Sequence, residues 1–448
     1  MTSFRLKPEI LDRAFAGVYL AYLFGIAAFN RDFARLNMEL FGVPLFVGEA
    51  TIGILTLLLV ARGLIDRKAP FPTSGLSRAL AAYFLVGCGF AVFGLKNGYG
   101  LAVFRDFALV YYLLFFTFTL FAVRGGLASA TVLHVVAVGS VIGSLVTIVF
   151  FLLSPRLSAE HAAPGYQALV AWIAALWLAL WRDRGNNRIV RALRYLGIGA
   201  SFAVIYLAAY RTMLPVMLIT LALLAAWAII ARPGWRRSRL ARAAGGLSIV
   251  LLIVVGAVLL QQRPPATAET LLPSEGPIEL EDAPDVLSPR WARGFGAEAL
   301  TEPSLRFRLT AWRLAIEKTI ASPLVGIGYG PSPGLYPDEN CELASSPTSN
   351  CGNAHNTLLT LAMRMGLPVF AFFLAINGYV TVKLVKRAVR GPDESIQAPF
   401  LASAYLSFLL YGLMSLFFES PYLSSLFWVV LGLMWTRATG RIAETGRD

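Results

Sequence analysis

Long apolar runs recur along the chain and constrain its fold more than any other feature. Each run is about 17–25 residues long, the length that a helix needs to cross the roughly 30 Å hydrocarbon core of a bilayer. The residues are 57% hydrophobic and only 15% charged, which does not fit a soluble globular protein. We therefore expect an all-α polytopic integral membrane protein with about twelve transmembrane helices. The predicted spans lie near residues 14–30, 45–64, 77–95, 101–123, 130–153, 166–182, 193–210, 213–231, 244–261, 366–383, 398–418 and 423–437.

The basic residues predict how these helices are oriented. When the spans are threaded in order, most of the 39 Lys and Arg residues fall on one side of the membrane, which identifies that side as the cytoplasm. Both termini are then cytoplasmic, and the long loop after the ninth span lies on the opposite side. Because this asymmetry accounts for the net charge of +13, the charge does not indicate nucleic-acid binding.

The long loop divides the chain into three parts. Membrane helices are predicted in 1–261 and 366–448, with the extracytoplasmic loop 262–365 between them. The loop begins with a segment rich in Pro and acidic residues, 269–285, which is typical of a linker. Within 304–322 the apolar residues recur at steps of three and four, which predicts an amphipathic helix.

Arg308 is the cation of this helix that we expect to face the protein body. It projects from one edge of the apolar stripe, whereas Arg306, Arg313 and Glu317 lie on the other edge. An alternative is an interfacial helix whose arginines all snorkel to the membrane surface. The predicted stripe consists of Leu305, Leu309, Trp312, Ile316 and Ile320.

Among the three histidines, His355 has the context expected of a catalytic group. It follows a turn at Gly352 and Asn353 and precedes an amphipathic run at the membrane surface. Imidazole is the usual general base near neutral pH, and Asn356 is placed to cap the following helix. We expect structural or solvated roles for the other two histidines, at 134 and 161.

Two arginines lie at costly positions for a charge in a membrane. Arg105 is about 6 Å inside an apolar span, from the rise of about 1.5 Å per residue, and Arg211 lies at a break between two spans. Asp106 is a poor partner for its neighbour, because adjacent side chains diverge by about 100° on a helix; Glu419 is another candidate. The predicted orientation of the spans places five candidate residues at the same membrane face: Arg105, Arg211, Arg308, His355 and Glu419. Since guanidinium groups bind diphosphate oxygens in pairs, this set suits a diphosphate ligand.

The three cysteines divide into one buried and two in the loop. Cys88 lies in an apolar span, where a small hydrophobic residue fits. Cys341 and Cys351 flank a short segment of the loop, in a compartment predicted to be oxidising. A disulfide between them is therefore expected, with two free thiols as the alternative. Too few ligands are present for a closed zinc site.

Three motifs of the loop resemble those of a known family. They are R-L-x-x-W from Arg308 to Trp312, P-L-x-G-x-G-x-G from Pro323 to Gly330, and the pair His355-Asn356. At these residues, together with Arg211 at the start of a span, the chain resembles the O-antigen ligase and O-antigen polymerase family of bacterial envelope proteins. Two further positions, Arg105 and Glu419, match less closely.

The resemblance implies transfer of a glycan from an undecaprenyl-diphosphate carrier to an acceptor hydroxyl, without a cofactor or a metal. It also implies a fold similar to lipid-dependent glycosyltransferases, in the bacterial inner membrane, with the long loop in the periplasm. His355, Arg211 and Arg308 would be catalytic, and substrate contacts would come from Arg105, Glu419, Trp312 and Asn356. The implied partners are the lipid-linked donor, the acceptor and membrane lipids.

Several functions remain open at this point. The acceptor of the glycan is lipid A–core in a ligase, another lipid-linked repeat in a polymerase, or a side chain in a protein oligosaccharyltransferase; the ligase is favoured. A transporter of an anionic solute belongs to a different class. Transporters typically place their site near the middle of the membrane, between related halves, whereas here the polar residues gather at one face and no internal repeat is present.

Overall fold

The computed structural model describes residues 8–40, 43–66, 74–153, 164–181, 188–208, 213–230, 240–252, 303–331, 334–335, 354–390, 396–415, 417–418 and 420–439. The helices in chain order are α1 Pro8–Arg35, α2 Val47–Asp66, α3 Gly75–Lys96, α4 Ala102–Tyr111, α5 Leu114–Arg124, α6 Ser129–Leu153, α7 Pro164–Leu180, α8 Arg188–Ala208, α9 Met213–Ile230, α10 Leu240–Leu252, α11 Pro303–Ala321, α12 Thr357–Arg390, α13 Gln397–Gly412 and α14 Pro421–Thr439.

Within this part of the chain, 7 helical segments are long and apolar enough to cross a membrane. The α4 and α5 helices together form one of them, because only a tight turn separates the two. Shorter apolar helices at Tyr166–Leu180, Met213–Ile229 and Leu240–Leu252 overlap three more predicted spans, the last one only in part. The protein is thus a mostly helical membrane protein, and the number of twelve spans stays a prediction.

The centre of the fold is formed by α14. Every residue from Tyr422 to Thr436 is buried, as expected of a helix that is apolar on all sides and surrounded by other helices. It packs against α5 and α12. Close approach to α5 depends on Gly432, where a Cβ atom would lie 2.9 Å from the Cβ atom of Thr119.

A kink at Gly366 divides α12 into two parts, and the second part contains the segment predicted to cross the membrane. Gly366 has φ of +80°, and a Cβ atom there would lie 2.4 Å from the carbonyl oxygen of Leu324. The next amide, of Leu367, donates to the carbonyl of Pro323 at 2.7 Å instead of continuing the helix ladder. The first part, residues 357–365, lies inside the segment that the sequence predicts as loop; we call it the half-helix.

A short antiparallel hairpin is the element that the sequence analysis did not predict. Its strands are Asn37–Leu40 and Val43–Phe46, with Met38 opposite Leu45. It joins α1 to α2 and is too short for alternating hydrophobicity to reveal it.

Candidate functional site

His355 stands at the start of the half-helix, in a backbone conformation set by its neighbour. The side-chain oxygen of Asn356 accepts hydrogen bonds from the amides of Leu358 and Leu359, both at 3.1 Å. These are the bonds of a helix N-cap, as the sequence predicts. His355 itself has φ of +48°, in the left-handed region where His is more frequent than most residues with a side chain. The cap and the left-handed turn together fix the backbone from which the imidazole projects.

The electrostatic environment of His355 keeps its imidazole neutral. Burial, and to a smaller extent the positive charge of Arg308, together lower its pKa from 6.5 to about 4. The imidazole is therefore uncharged at neutral pH and has a lone pair to accept a proton. The influence of Arg308 on this pKa also means that two residues from separate motifs of the loop lie close together.

The helix α11 is held against the half-helix by small side chains. Ala311 and Ala315 are fully buried and form a compact apolar cluster with Ala354 and Met363. Trp312, predicted as a substrate contact, packs against the same cluster and is partly buried. Since Ala354 directly precedes the histidine, this cluster ties α11 to the backbone on which the imidazole is mounted.

Three residues of the predicted apolar stripe of α11 face outward, and only Trp312 of its described members packs against this cluster. Leu309, Ile316 and Ile320 are 47%, 44% and 71% exposed, because the alanine face permits closer packing than the larger side chains would. On the exposed side, Arg313 forms an ion pair with Glu317, Nε to Oε1 at 2.8 Å. Arg313 is thus directed away from the histidine, in contrast to Arg308 on the same helix.

The glycine-rich turn after α11 lies directly on the half-helix. The amides of Ile327 and Gly328 donate to the carbonyls of Met363 and Arg364 at 2.8 and 3.0 Å. Gly326 has φ of +65°, and a Cβ atom there would lie 2.5 Å from the Met363 carbonyl oxygen. The glycines therefore allow a tight turn and a close approach, but the approach is to the protein's own backbone.

A buried ion pair anchors this turn to the membrane helices. Arg364 Nη1 lies 3.1 Å from Asp106 Oδ2, and the two side chains are 0% and 1% exposed. The amide of Gly330 donates to the same carboxylate oxygen at 2.7 Å. Arg364 Nη1 also donates to the carbonyls of Gly328 and Pro331, at 3.2 and 2.7 Å.

Sequence reasoning missed this pair, although a signal for it existed. Asp106 is as deep in its span as Arg105, so the cost of burying a charge applied to both. The partner of Asp106 is Arg364, which is far away along the chain, so no local pattern identifies it. Arg105 itself, 25% exposed, has its Nε 3.8 Å from Asp106 Oδ1, a contact too long for a strong ion pair.

Four predicted site residues lie outside the described residues: Arg211, Glu419, Cys341 and Cys351. The acidic segment 269–285 and His161 lie outside them as well.

The start of the half-helix contacts the segment after α13. The hydroxyl of Thr357 donates to the carbonyl of Ser415 at 3.2 Å. The end of α13 is thereby brought next to the first residue of the half-helix.

Two further features bear on possible ligands. Among the residues that the structure describes, no group of three or more His, Cys, Asp or Glu side chains is placed to hold a metal ion. A cavity of about 740 Å³ lies between α9 and α10. Its lining is apolar, with residues such as Leu221 and Ala244, so it suits a hydrocarbon chain better than a sugar or a phosphate.

The comparison with known families bears on the segment that contains most of this site. Residues 196–374 match the family model described as O-antigen ligase. The matched segment includes Arg211, Arg308 and His355, together with the glycine-rich turn and Arg364. No curated protein matches the chain. The match supports the assignment of this chain to the O-antigen ligase and O-antigen polymerase family, whose members are ligases and polymerases of the glycosyltransferase type.

Proposed function

We propose that the protein transfers a glycan from an undecaprenyl-diphosphate carrier to an acceptor hydroxyl at the periplasmic face of the inner membrane. The observation that carries the proposal is the placement of His355 beside Arg308. His355 supplies a neutral imidazole in a left-handed turn, and Arg308 supplies a guanidinium charge close enough to lower the pKa of that imidazole. A base and an anion-binding group side by side suit the displacement of a diphosphate by a hydroxyl.

In the first part of the reaction, the neutral imidazole of His355 accepts the proton of the acceptor hydroxyl. The hydroxyl oxygen forms a bond to the anomeric carbon of the donor sugar from the side opposite the diphosphate. A single displacement of this kind inverts the anomeric centre. A positioned general base contributes about 10²–10⁴ to the rate of such a step.

In the second part, the bond between the anomeric carbon and the phosphate oxygen breaks, and its electron pair leaves with the diphosphate. Arg308 would stabilise the charge that develops there, with Arg211 and Arg105 as further cations predicted at the same membrane face. Fixed guanidinium groups lower the barrier because they need no reorganisation as charge builds up on the leaving group. Glu419 would orient the acceptor or one of these arginines.

Both a ligase and a polymerase would use this chemistry, and the acceptor separates them. We favour the ligase, in which the acceptor is lipid A–core. A deletion strain of the source bacterium provides the test, by analysis of its lipopolysaccharide on gels and by mass spectrometry. Loss of glycan from an intact core supports the ligase, whereas single repeats attached to the core indicate a polymerase. A normal glycan profile together with altered anion uptake would favour a transporter and remove the proposal.

The role of the histidine is best tested with an asparagine. His355→Asn keeps a residue that accepts the left-handed conformation but removes the base, so we expect transfer to fall by about 10²–10⁴ while the protein stays folded. Complementation of the deletion strain and transfer by the purified variant measure the loss. Near-normal transfer by folded His355→Asn protein would contradict the base assignment.

A matched pair of arginines on α11 tests the anion site. We expect Arg308→Gln to abolish most transfer, because it removes the charge beside His355. Arg313→Gln should leave transfer unchanged, since Arg313 is exposed and pairs with Glu317, a surface contact that contributes little. Equal loss in both variants would mean that general charge on the helix, and not a site, is responsible.

A further inference from the structure

The geometry points to Asp106 and Arg364 as positioning residues that join the membrane helix α4 to the half-helix carrying His355. This assignment rests on the proposed function for its link to transfer. Its structural part, the control of where the imidazole stands, is independent of any substrate.

The two side chains connect three segments of the described chain through one carboxylate oxygen of Asp106. Asp106 Oδ2 forms an ion pair with Arg364 Nη1 at 3.1 Å and accepts a hydrogen bond from the amide of Gly330 at 2.7 Å. Arg364 belongs to the half-helix, and its Nη1 extends the network to the carbonyls of Gly328 and Pro331. Thus α4, the glycine-rich turn and the half-helix meet at one buried charge pair.

The path from this pair to the catalytic candidate is short and rigid. From Arg364 back to Thr357 the half-helix covers about 10 Å, at about 1.5 Å per residue, and Asn356 caps its start. The kink at Gly366 separates the half-helix from the rest of α12. The turn and the ion pair therefore hold the half-helix at its Arg364 end, in addition to the contacts that α11 makes with it, and a rotation about the kink would move the imidazole.

The same pair explains why Arg105 differs from Arg364 although both lie near Asp106. The carboxylate is engaged by Arg364 at 3.1 Å, whereas Arg105 remains at 3.8 Å and is 25% exposed. One aspartate cannot fully compensate two guanidinium charges. The cluster keeps a net positive charge, and its exposed member is Arg105, which the proposed function assigns to the diphosphate.

Labelling of His355 with diethyl pyrocarbonate, followed by mass spectrometry, tests the assignment without any donor or acceptor. The protein is used as the full chain in nanodiscs at neutral pH, with His134 as an internal reference and melting temperature as the measure of folding. The main variant is the double substitution Asp106→Leu with Arg364→Met. It removes both charges together, so that neither is left buried alone, which is the strongly destabilising case.

We expect the double variant to keep its melting temperature within a few degrees of the wild type while the labelling rate of His355 rises at least about tenfold. In the complemented deletion strain, glycan transfer should fall in parallel. A folded double variant with wild-type labelling would overturn the assignment, because it would show that the pair does not fix the imidazole. Wild-type protein without any transfer would instead refute the proposed function and leave the labelling result intact.

Arg364→Lys provides a second test in case the double variant does not fold. All three contacts of Arg364 come from Nη1, and an ammonium group offers three donors at one nitrogen, so lysine is able to replace it. We expect a folded protein with labelling within about twofold of the wild type. Increased labelling in the folded lysine variant would overturn the assignment. A lysine variant that does not fold would also overturn it, because the pair would then be a folding element only.

Discussion

The pKa of His355 offers a direct measure of how the site responds to its substrate. Burial and the charge of Arg308 lower it from 6.5 to about 4, which corresponds to about 3 kcal/mol against the imidazolium form at about 1.36 kcal/mol per pH unit. Such a group is neutral at pH 7 and able to accept a proton, but it is a weak base. We predict that an anionic diphosphate bound at Arg308 offsets the guanidinium charge and raises the pKa of His355.

The size of the expected change follows from the order of the two causes. Burial is the larger one and Arg308 the smaller, so removal of the charge should recover less than half of the drop. In Arg308→Gln the pKa should therefore rise above about 4 and stay below 6.5. In the wild type, binding of undecaprenyl diphosphate should produce a rise in the same direction. Arg313→Gln should leave the value unchanged, because its charge lies on the exposed side of α11 and is paired with Glu317.

Nuclear magnetic resonance of histidine-labelled protein in nanodiscs is the suitable assay, because the chain has only 3 histidines. The ring signals of His355, assigned with the His355→Asn variant, are followed between about pH 3 and pH 8, with and without undecaprenyl diphosphate. Recovery of the spectrum after return to pH 7 controls for acid unfolding. A midpoint near 6.5 in the free protein would refute the buried, charge-depressed site. An unchanged midpoint after addition of the diphosphate would refute the idea that Arg308 binds it.

Three further predictions concern other parts of the chain. Arg211→Lys should reduce transfer almost as much as Arg211→Ala, since an ammonium group keeps the charge but loses the paired geometry; a lysine variant with normal transfer rates would show that charge alone suffices. Non-reduced digests should contain a peptide that links Cys341 to Cys351, a bond worth roughly 2–3 kcal/mol for so short a loop, and free thiols after rapid alkylation would exclude it. Gly326→Ala should lower the melting temperature far more than Gly328→Ala. Both glycines have positive φ, which costs an alanine about 1–2 kcal/mol at either position, but only at Gly326 would the added Cβ atom lie 2.5 Å from a backbone atom. Equal shifts in melting temperature would contradict this prediction.

The sequence predicted those elements whose signal is local. Hydropathy located the apolar helices, and the periodicity of 304–322 corresponds to the helix Pro303–Ala321. Asn356 was recognised as a cap because capping depends only on the next three residues. The packing face of α11 differs from most of the predicted apolar stripe, because tight packing against the half-helix favours Ala311 and Ala315, and only Trp312 of the described stripe residues joins them.

The ion pair of Asp106 with Arg364 could not be predicted from local rules. A partner so distant along the chain is brought near only when the glycine-rich turn folds back onto the half-helix. The kink at Gly366 lies where the sequence predicts a membrane span to begin, but its positive φ and its contact with the Leu324 carbonyl arise from the same folding back. The signal present in the sequence is Asp106 itself, because an acid inside an apolar span is costly to bury and points to a buried partner without identifying it.

Arg364 and Arg308 have different partners, and this difference predicts different effects of a lysine substitution at the two positions. Arg364 is fully buried, and its charge is matched by Asp106, so its value lies in fixed contacts that one nitrogen makes. Arg308 acts on His355 through its charge, and in the proposed function it must also match two phosphate oxygens. Lysine should therefore replace Arg364 but not Arg308. If lysine were tolerated at Arg308 and rejected at Arg364, the assignment of one arginine to the fold and the other to the ligand would have to be reversed.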